Sequence, residues 1–264
     1  MLTRTLLAAA LLVSITAHAD VSITMQTAGK ASFINVGGEG VTLIKGKRQR
    51  NDQMIGKRMV SSIIDVEGLR FVTLDEKKKS ALVTPLGVIG EELAAVGVGS
   101  MQATLTKTAQ TKQIAGYPCT VHDLRVTVPF SPTGQAGDGM DLTLVMSGNV
   151  CLSTQVPGLG DYQAFYKAAA DSGFIFGDPR AANSPTGAAQ AKAYAELTRK
   201  MAEAGMALET HLVIAASGDN PLAGIMGKLA ASDVSTTVVN ITSGELPPEQ
   251  FEIPAGYKVK EQKK

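Results

Sequence analysis

Cys119 and Cys151 are the only cysteines in the chain, and an even pair in an oxidising compartment reads first as a disulfide. Strand parity is consistent with that reading. An antiparallel register that sets Cys119 opposite Cys151 also sets Leu124 opposite Met146 and Val126 opposite Leu144. It places Leu124, Val126, Leu142, Leu144 and Met146 on one face. Cys119, Asp123, Arg125, Ser147, Asn149 and Cys151 fall on the other, so the bridge is expected on the outer face of a sheet with one buried side. A loop of this length contributes about 3.5 kcal/mol in the chain-entropy picture. The alternative is zinc held by Cys119, His122, Cys151 and His211. Residues three apart on a strand point to opposite faces, whereas the two-residue spacer of zinc sites lies in a turn, so no metal is expected.

Other reactive groups are sparse. His122 shares the parity of Leu124 and Val126, which makes it either a satisfied core histidine or a ligand contact. Neither His122 nor His211 accompanies a Gly-x-Ser-x-Gly elbow, and no His-Glu-x-x-His helix, phosphate loop or dinucleotide fingerprint occurs. The stretch from Gly137 to Asp141 lacks calcium-loop spacing and reads as a turn. No cofactor is expected, the protein reads as non-enzymatic, and a hydrolase built from scattered residues is the weakest option. The main basic cluster begins at Lys45. Alternation points Arg48 and Arg50 the same way, so Lys47, Arg48 and Arg50 are candidate contacts for an anionic group, with a solvated hairpin as the competing reading.

The amino terminus sets the expected compartment. Arg4 precedes an apolar run from Leu6 to Ile15 and the exit Ala17-His18-Ala19, the pattern of a signal peptide over residues 1–19 cut after Ala19. No cysteine adjoins that cut, so no lipid anchor is expected, and the mature protein reads as periplasmic. No later apolar run is long enough for a transmembrane helix. Without Arg4, 24 of the 25 Lys+Arg face 24 Asp+Glu, a balance that gives nucleic acid no chain-wide attraction. With no Trp and 10 Met, aliphatic and thioether groups must fill the interior.

The elements that must position these residues follow from periodicity. Alternation of Val21, Ile23 and Met25 with Ser22, Thr24 and Gln26, repeated in short runs to about Asn149, predicts an antiparallel meander with turns at Asp65–Gly68 and Pro129–Gly139. A short helix is expected at Glu91–Ala95. Two clearer helices follow. Asp161 is expected to cap one that carries Tyr162, Phe165, Tyr166 and Ala169 on one stripe, and Ser184-Pro185 opens another with Tyr194, Leu197, Met201 and Ala204, ending at Gly205. Glu196 with Lys200 and Arg199 with Glu203 brace its wet side. Strands resume at Leu208–Ala215 and Val234–Thr242, with a small amphipathic segment between Asn220 and Ala231. The resulting class is α+β: one domain over residues 20–258, followed by a charged tail over 259–264.

Three segments, Lys45-Gly46-Lys47 leading to Arg50 and Asp52, Ile114-Ala115-Gly116-Tyr117-Pro118-Cys119, and Phe251-Glu252-Ile253-Pro254-Ala255-Gly256-Tyr257-Lys258, resemble a bacterial exported family of unknown function. That family in turn resembles the periplasmic lipoprotein-carrier superfamily in fold. The resemblance implies a strongly curved antiparallel sheet, an incomplete β-barrel covered by two or three helices, holding acyl chains on its apolar face. Cys151 stands where the family pattern leads one to expect tryptophan. The expected function is binding of a hydrophobic or lipid-like ligand against His122, Leu124, Val126, Leu142, Leu144, Met146, Tyr162, Phe165 and Tyr166. The alternative is a cell-envelope structural or interaction module whose partner is another envelope protein.

Overall fold

The computed structural model describes residues 20–31, 34–55, 58–85, 102–130, 142–172, 185–218, 225, 228 and 231–262. Its strands are β1 (Val21–Ala31), β2 (Ile34–Lys45), β3 (Arg48–Ile55), β4 (Arg58–Asp65), β5 (Arg70–Asp75), β6 (Ser80–Pro85), β7 (Gln102–Ile114), β8 (Tyr117–Phe130), β9 (Leu142–Ser153), β10 (Met206–Ser217), β11 (Ser232–Ser243) and β12 (Lys258–Glu261). Among the described residues two helices, α1 (Leu159–Asp171) and α2 (Pro185–Ala204), lie between β9 and β10. A 3-10 turn over Pro248–Phe251 precedes β12.

The twelve described strands form one sheet, in the order β12-β6-β5-β4-β3-β2-β1-β11-β10-β9-β8-β7. Two sequential meanders, β1–β6 and β7–β11, are therefore joined through the antiparallel pair β1·β11, and only β12 runs parallel to its neighbour β6. This corrects the expected α+β half-barrel under helices: strand makes up 65 % and helix 16 %, and the sheet is not closed. The alternating runs around Val41 and Leu105 fall in β2 and β7, but parts of these strands lack a one-sided apolar pattern. β2 opens Ile34-Asn35-Val36-Gly37-Gly38, and most of β7 is Thr, Gln and Lys exposed on both sides. Residues 259–261, read as part of a tail, belong to β12. The segment at Glu91–Ala95 lies outside the described residues, as does most of Asn220–Ala231.

Local chemistry closes the hairpins. Ala115 and Gly116 both have positive φ, 50° and 84°, between the paired residues Ile114 and Tyr117, the two-residue turn whose twist matches the flanking strands. Asp65 accepts the amide of Gly68 at 2.8 Å and the Arg70 guanidinium at 3.0 Å, which fixes the β4–β5 turn.

Both helices pack on the same face. The register aligns Val21, Ile44, Gln49, Ile64 and Phe71 across β1 to β5, and against this row α1 buries Tyr162, Phe165 and Ala169. The cap differs from expectation. Gly158 holds that place with φ 69°, and a Cβ there would lie 1.9 Å from Val21 Cγ2, so only glycine lets α1 start this close to the sheet. Asp161 sits in the first turn instead. α2 covers the other meander, burying Leu197 with Leu124, Val126, Leu144, Met146 and Ile214. Its Arg199–Glu203 and Lys200–Glu196 pairs form as the helical spacing predicts.

The disulfide joins Cys119 to Cys151 with Cα atoms 5.4 Å apart. The register is slipped by two from the expected one. Val121 faces Cys151 and Val126 faces Met146, so the bridge is diagonal. An even slip keeps every side chain on its face, which is why parity alone does not fix it. The expected outer position is also corrected. Both cysteines are buried, in a cluster with Val121, Met206, Ile114 and Tyr117. Lys112 pairs in register with Cys119, Glu209 with Cys151, and the two charges bond to each other across the bridge.

Candidate functional site: a neutral trough beside the first helix

Where α1 and α2 leave the helix-bearing face uncovered, a trough of about 570 Å³ runs along the middle of the sheet. Its floor comes from five adjacent strands, β3, β2, β1, β11 and β10, and Tyr162 and Tyr166 of α1 stand at one end. It follows β1 from Ile23 to Ala31, about 26 Å at roughly 3.3 Å per residue. The volume lies in the range of ligand pockets, roughly 300–1,000 Å³.

Most of the wall is aliphatic or thioether: Ile23, Met25, Val36, Met54, Leu212, Val234 and Val238. The remaining groups are hydroxyls and amides, and no described lining residue is Lys, Arg, His, Asp or Glu. Thr27, Thr236 and Thr210 stand side by side in register on β1, β11 and β10. Thr27 and Thr236 share a hydroxyl hydrogen bond of 3.3 Å, and the Gln53 amide donates to Thr27 Oγ1 at 3.4 Å from two strands away. That reach depends on Gly40, which faces both Gln53 and Met25: a Cβ at Gly40 would sit 2.3 Å from Gln53 Oε1. The missing side chain leaves a notch through which Gln53 crosses β2. Thr42 donates to Asn51 Oδ1 at 3.1 Å nearby.

The phenols are electrically silent. Burial pushes the Tyr166 hydroxyl up to about 12, and burial pushes Tyr162 well above the ordinary tyrosine range. Tyr166 accepts the Gln49 amide at 2.9 Å, and the two rings meet with centroids 4.5 Å apart.

Of the residues singled out in the sequence, Tyr162 and Tyr166 line the trough. Phe165 lies beneath them, fully buried. Leu124, Val126, Leu142, Leu144 and Met146 are packed in the core under α2, away from the trough. His122 is half-buried, with Nδ1 2.9 Å from the Thr120 carbonyl. Both arginines of the basic cluster are paired with carboxylates. Arg48 pairs with Glu252 at 2.6 Å, and Arg50 grips Asp52 at 2.8 Å and donates to the Gln250 carbonyl at 3.3 Å. Lys47 is exposed, and its carbonyl accepts Val66 N–H at 3.0 Å. Thr27, Thr210, Thr236, Gln53 and Gly40 carry no signal in the sequence, because what unites them is adjacency across strands far apart in the chain.

No family model matches the chain, and no curated protein matches it. Among solved structures, an uncharacterized conserved protein from Thermus thermophilus aligns over 93 % of this chain and 92 % of its own, at 10 % identity and a TM-score of 0.38. PNGF-II aligns over 92 % of this chain at 10 % identity and a TM-score of 0.36, with this chain spanning only 31 % of its length. Neither likeness is close enough to bear on fold or function.

Proposed function

We propose that the protein is an exported, non-enzymatic binding protein that holds a hydrophobic or lipid-like ligand in the trough between α1 and the middle strands. The observation that carries this reading is a long apolar space of about 570 Å³ whose described lining bears no charge. Apolar walls provide the affinity and a few neutral polar groups the orientation. Export is supported by the residues ahead of Asp20 and by the Cys119–Cys151 disulfide, which suits an oxidising compartment.

Native mass spectrometry of the protein purified from the envelope of its own host tests the binding, alongside uptake of the uncharged fluorophore N-phenylnaphthylamine. A co-purifying apolar ligand that the fluorophore displaces is the expected result, and Val234→Glu should weaken uptake at least about tenfold by placing a carboxylate in the wall. An empty protein that takes up no fluorophore removes the proposal. N-terminal sequencing of the mature protein should begin at Asp20, and an intact leader would overturn export.

A further inference from the structure

We propose that the trough selects an elongated ligand bearing an uncharged hydroxyl, ester or amide group partway along an apolar body, read by the polar belt Gln53, Thr27, Thr236 and Thr210. This names the ligand class of the site proposed above and rests on that reading.

The belt crosses the trough rather than lying at its mouth. Thr27, Thr236 and Thr210 are aligned across three strands, with Gln53 joined to Thr27 over the notch at Gly40. Apolar side chains flank it along both strands: Met25 and Val238 on the side of the tyrosines, Val234 and Ala31 on the other. A ligand lying along β1 thus meets apolar side chains on both sides of the belt, with Thr42 and Asn51 at the level of Ile23 and Ser232 beside Ala31 as further neutral polar groups.

The belt's members suit a neutral partner. Threonine hydroxyls both donate and accept, and the Gln53 amide supplies one donor pair and one acceptor, so the row adapts to either polarity of a hydroxyl or carbonyl. It presents no fixed charge to neutralise an ion. Moving an ionised carboxylate or ammonium out of water needs a counter-charge or several directed hydrogen bonds, and the described lining contains no cation or anion. The phenols at the end stay protonated through the physiological range, so they add none.

Three probes with the polar group near the middle of one apolar chain separate the possibilities: the mid-chain alcohol 6-dodecanol, the anion of dodecane-6-carboxylic acid and the cation of 6-(trimethylammonio)dodecane, each competing against N-phenylnaphthylamine on the full mature chain at mildly alkaline pH. The alcohol is expected to compete at least about tenfold better than either ion. Equal competition by all three overturns the uncharged selectivity while leaving an apolar site in place. Failure of the fluorophore itself to bind sinks the underlying reading instead. The double substitution Thr27→Val/Thr236→Val keeps side-chain shape and removes the hydroxyls. It should reduce 6-dodecanol affinity, corrected for the fluorophore's own affinity in the same variant, about fivefold, the worth of one net hydrogen bond. An unchanged 6-dodecanol affinity in that variant refutes the belt as the reader.

Discussion

Gln49 donates its amide to the Tyr166 hydroxyl at 2.9 Å from the centre of a row whose other members, Val21, Ile44, Ile64 and Phe71, are all apolar and buried. One polar side chain in such a row is tolerable only when bonded. The phenol therefore anchors α1 to β3 at one chosen point. Tyr166→Phe should destabilise the fold by about 1–3 kcal/mol, the cost of leaving a buried amide unpaired. Adding Gln49→Leu should restore much of that loss. Urea unfolding of the two single variants and the double variant checks it, and purely additive losses would show that the pair is not coupled.

Alkaline pH should loosen the same contact. Both phenols are raised, Tyr166 from 10.0 to about 12 and Tyr162 well above its ordinary range. A raised folded-state value means that the unfolded chain releases its proton first. Their contribution to stability is therefore fully present below pH 10.0, and is lost as pH climbs from there toward the folded value of about 12. Tyrosinate absorbance should show these two rings still protonated at pH 10.0 while the protein is folded. Ionisation near pH 10.0 in a protein still folded by circular dichroism would contradict their burial.

Replacing both cysteines, Cys119→Ala/Cys151→Ala, should cost about 3.5 kcal/mol in the loop-entropy picture for a separation of 32 residues. Because the sulfurs are buried under the Lys112–Glu209 pair, the folded protein should also resist mild thiol reductants until denaturant opens the sheet. Thermal unfolding of the variant and thiol counting on the native protein measure the two effects. Rapid reduction without denaturant would rule out the buried placement.

The Arg48–Glu252 bridge brings together two segments separated by 204 positions in the chain. With side chains 35 % and 51 % exposed, the pair should couple by only about 0.5 kcal/mol. A double-mutant cycle with Arg48→Ala and Glu252→Ala reads that coupling directly. A value several times larger would mean that neighbouring Asp65 and Arg50 act with them as a network.

Side-chain parity makes the pairing of Cys119 with Cys151 legible, together with the faces of β8 and β9, because alternation is a local property. It cannot separate registers that differ by an even slip, which is why Val121 and not Cys119 stands opposite Cys151. The stripe of Tyr162, Phe165 and Ala169 is equally readable, whereas the cap at Gly158 depends on the approach of Val21 from the first strand of the sheet. The trough is hidden for the same reason. Its polar belt draws on Thr27, Gln53, Thr210 and Thr236, and nothing in the chain beside any of them announces the others. The resemblance implies a half-barrel, whereas the described strands form one open sheet, because which strands lie side by side, such as β1 and β11, depends on pairings far apart in the chain.

The seam between the two meanders has a kinetic meaning. β1 pairs with β11 through partners such as Val21 and Ser243, near opposite ends of the polypeptide. Loop closure of that span is slow and entropically unfavourable until the intervening strands have shortened it. β1 must therefore wait for β11, which is synthesised much later, and the space lined by both comes into being only at that meeting.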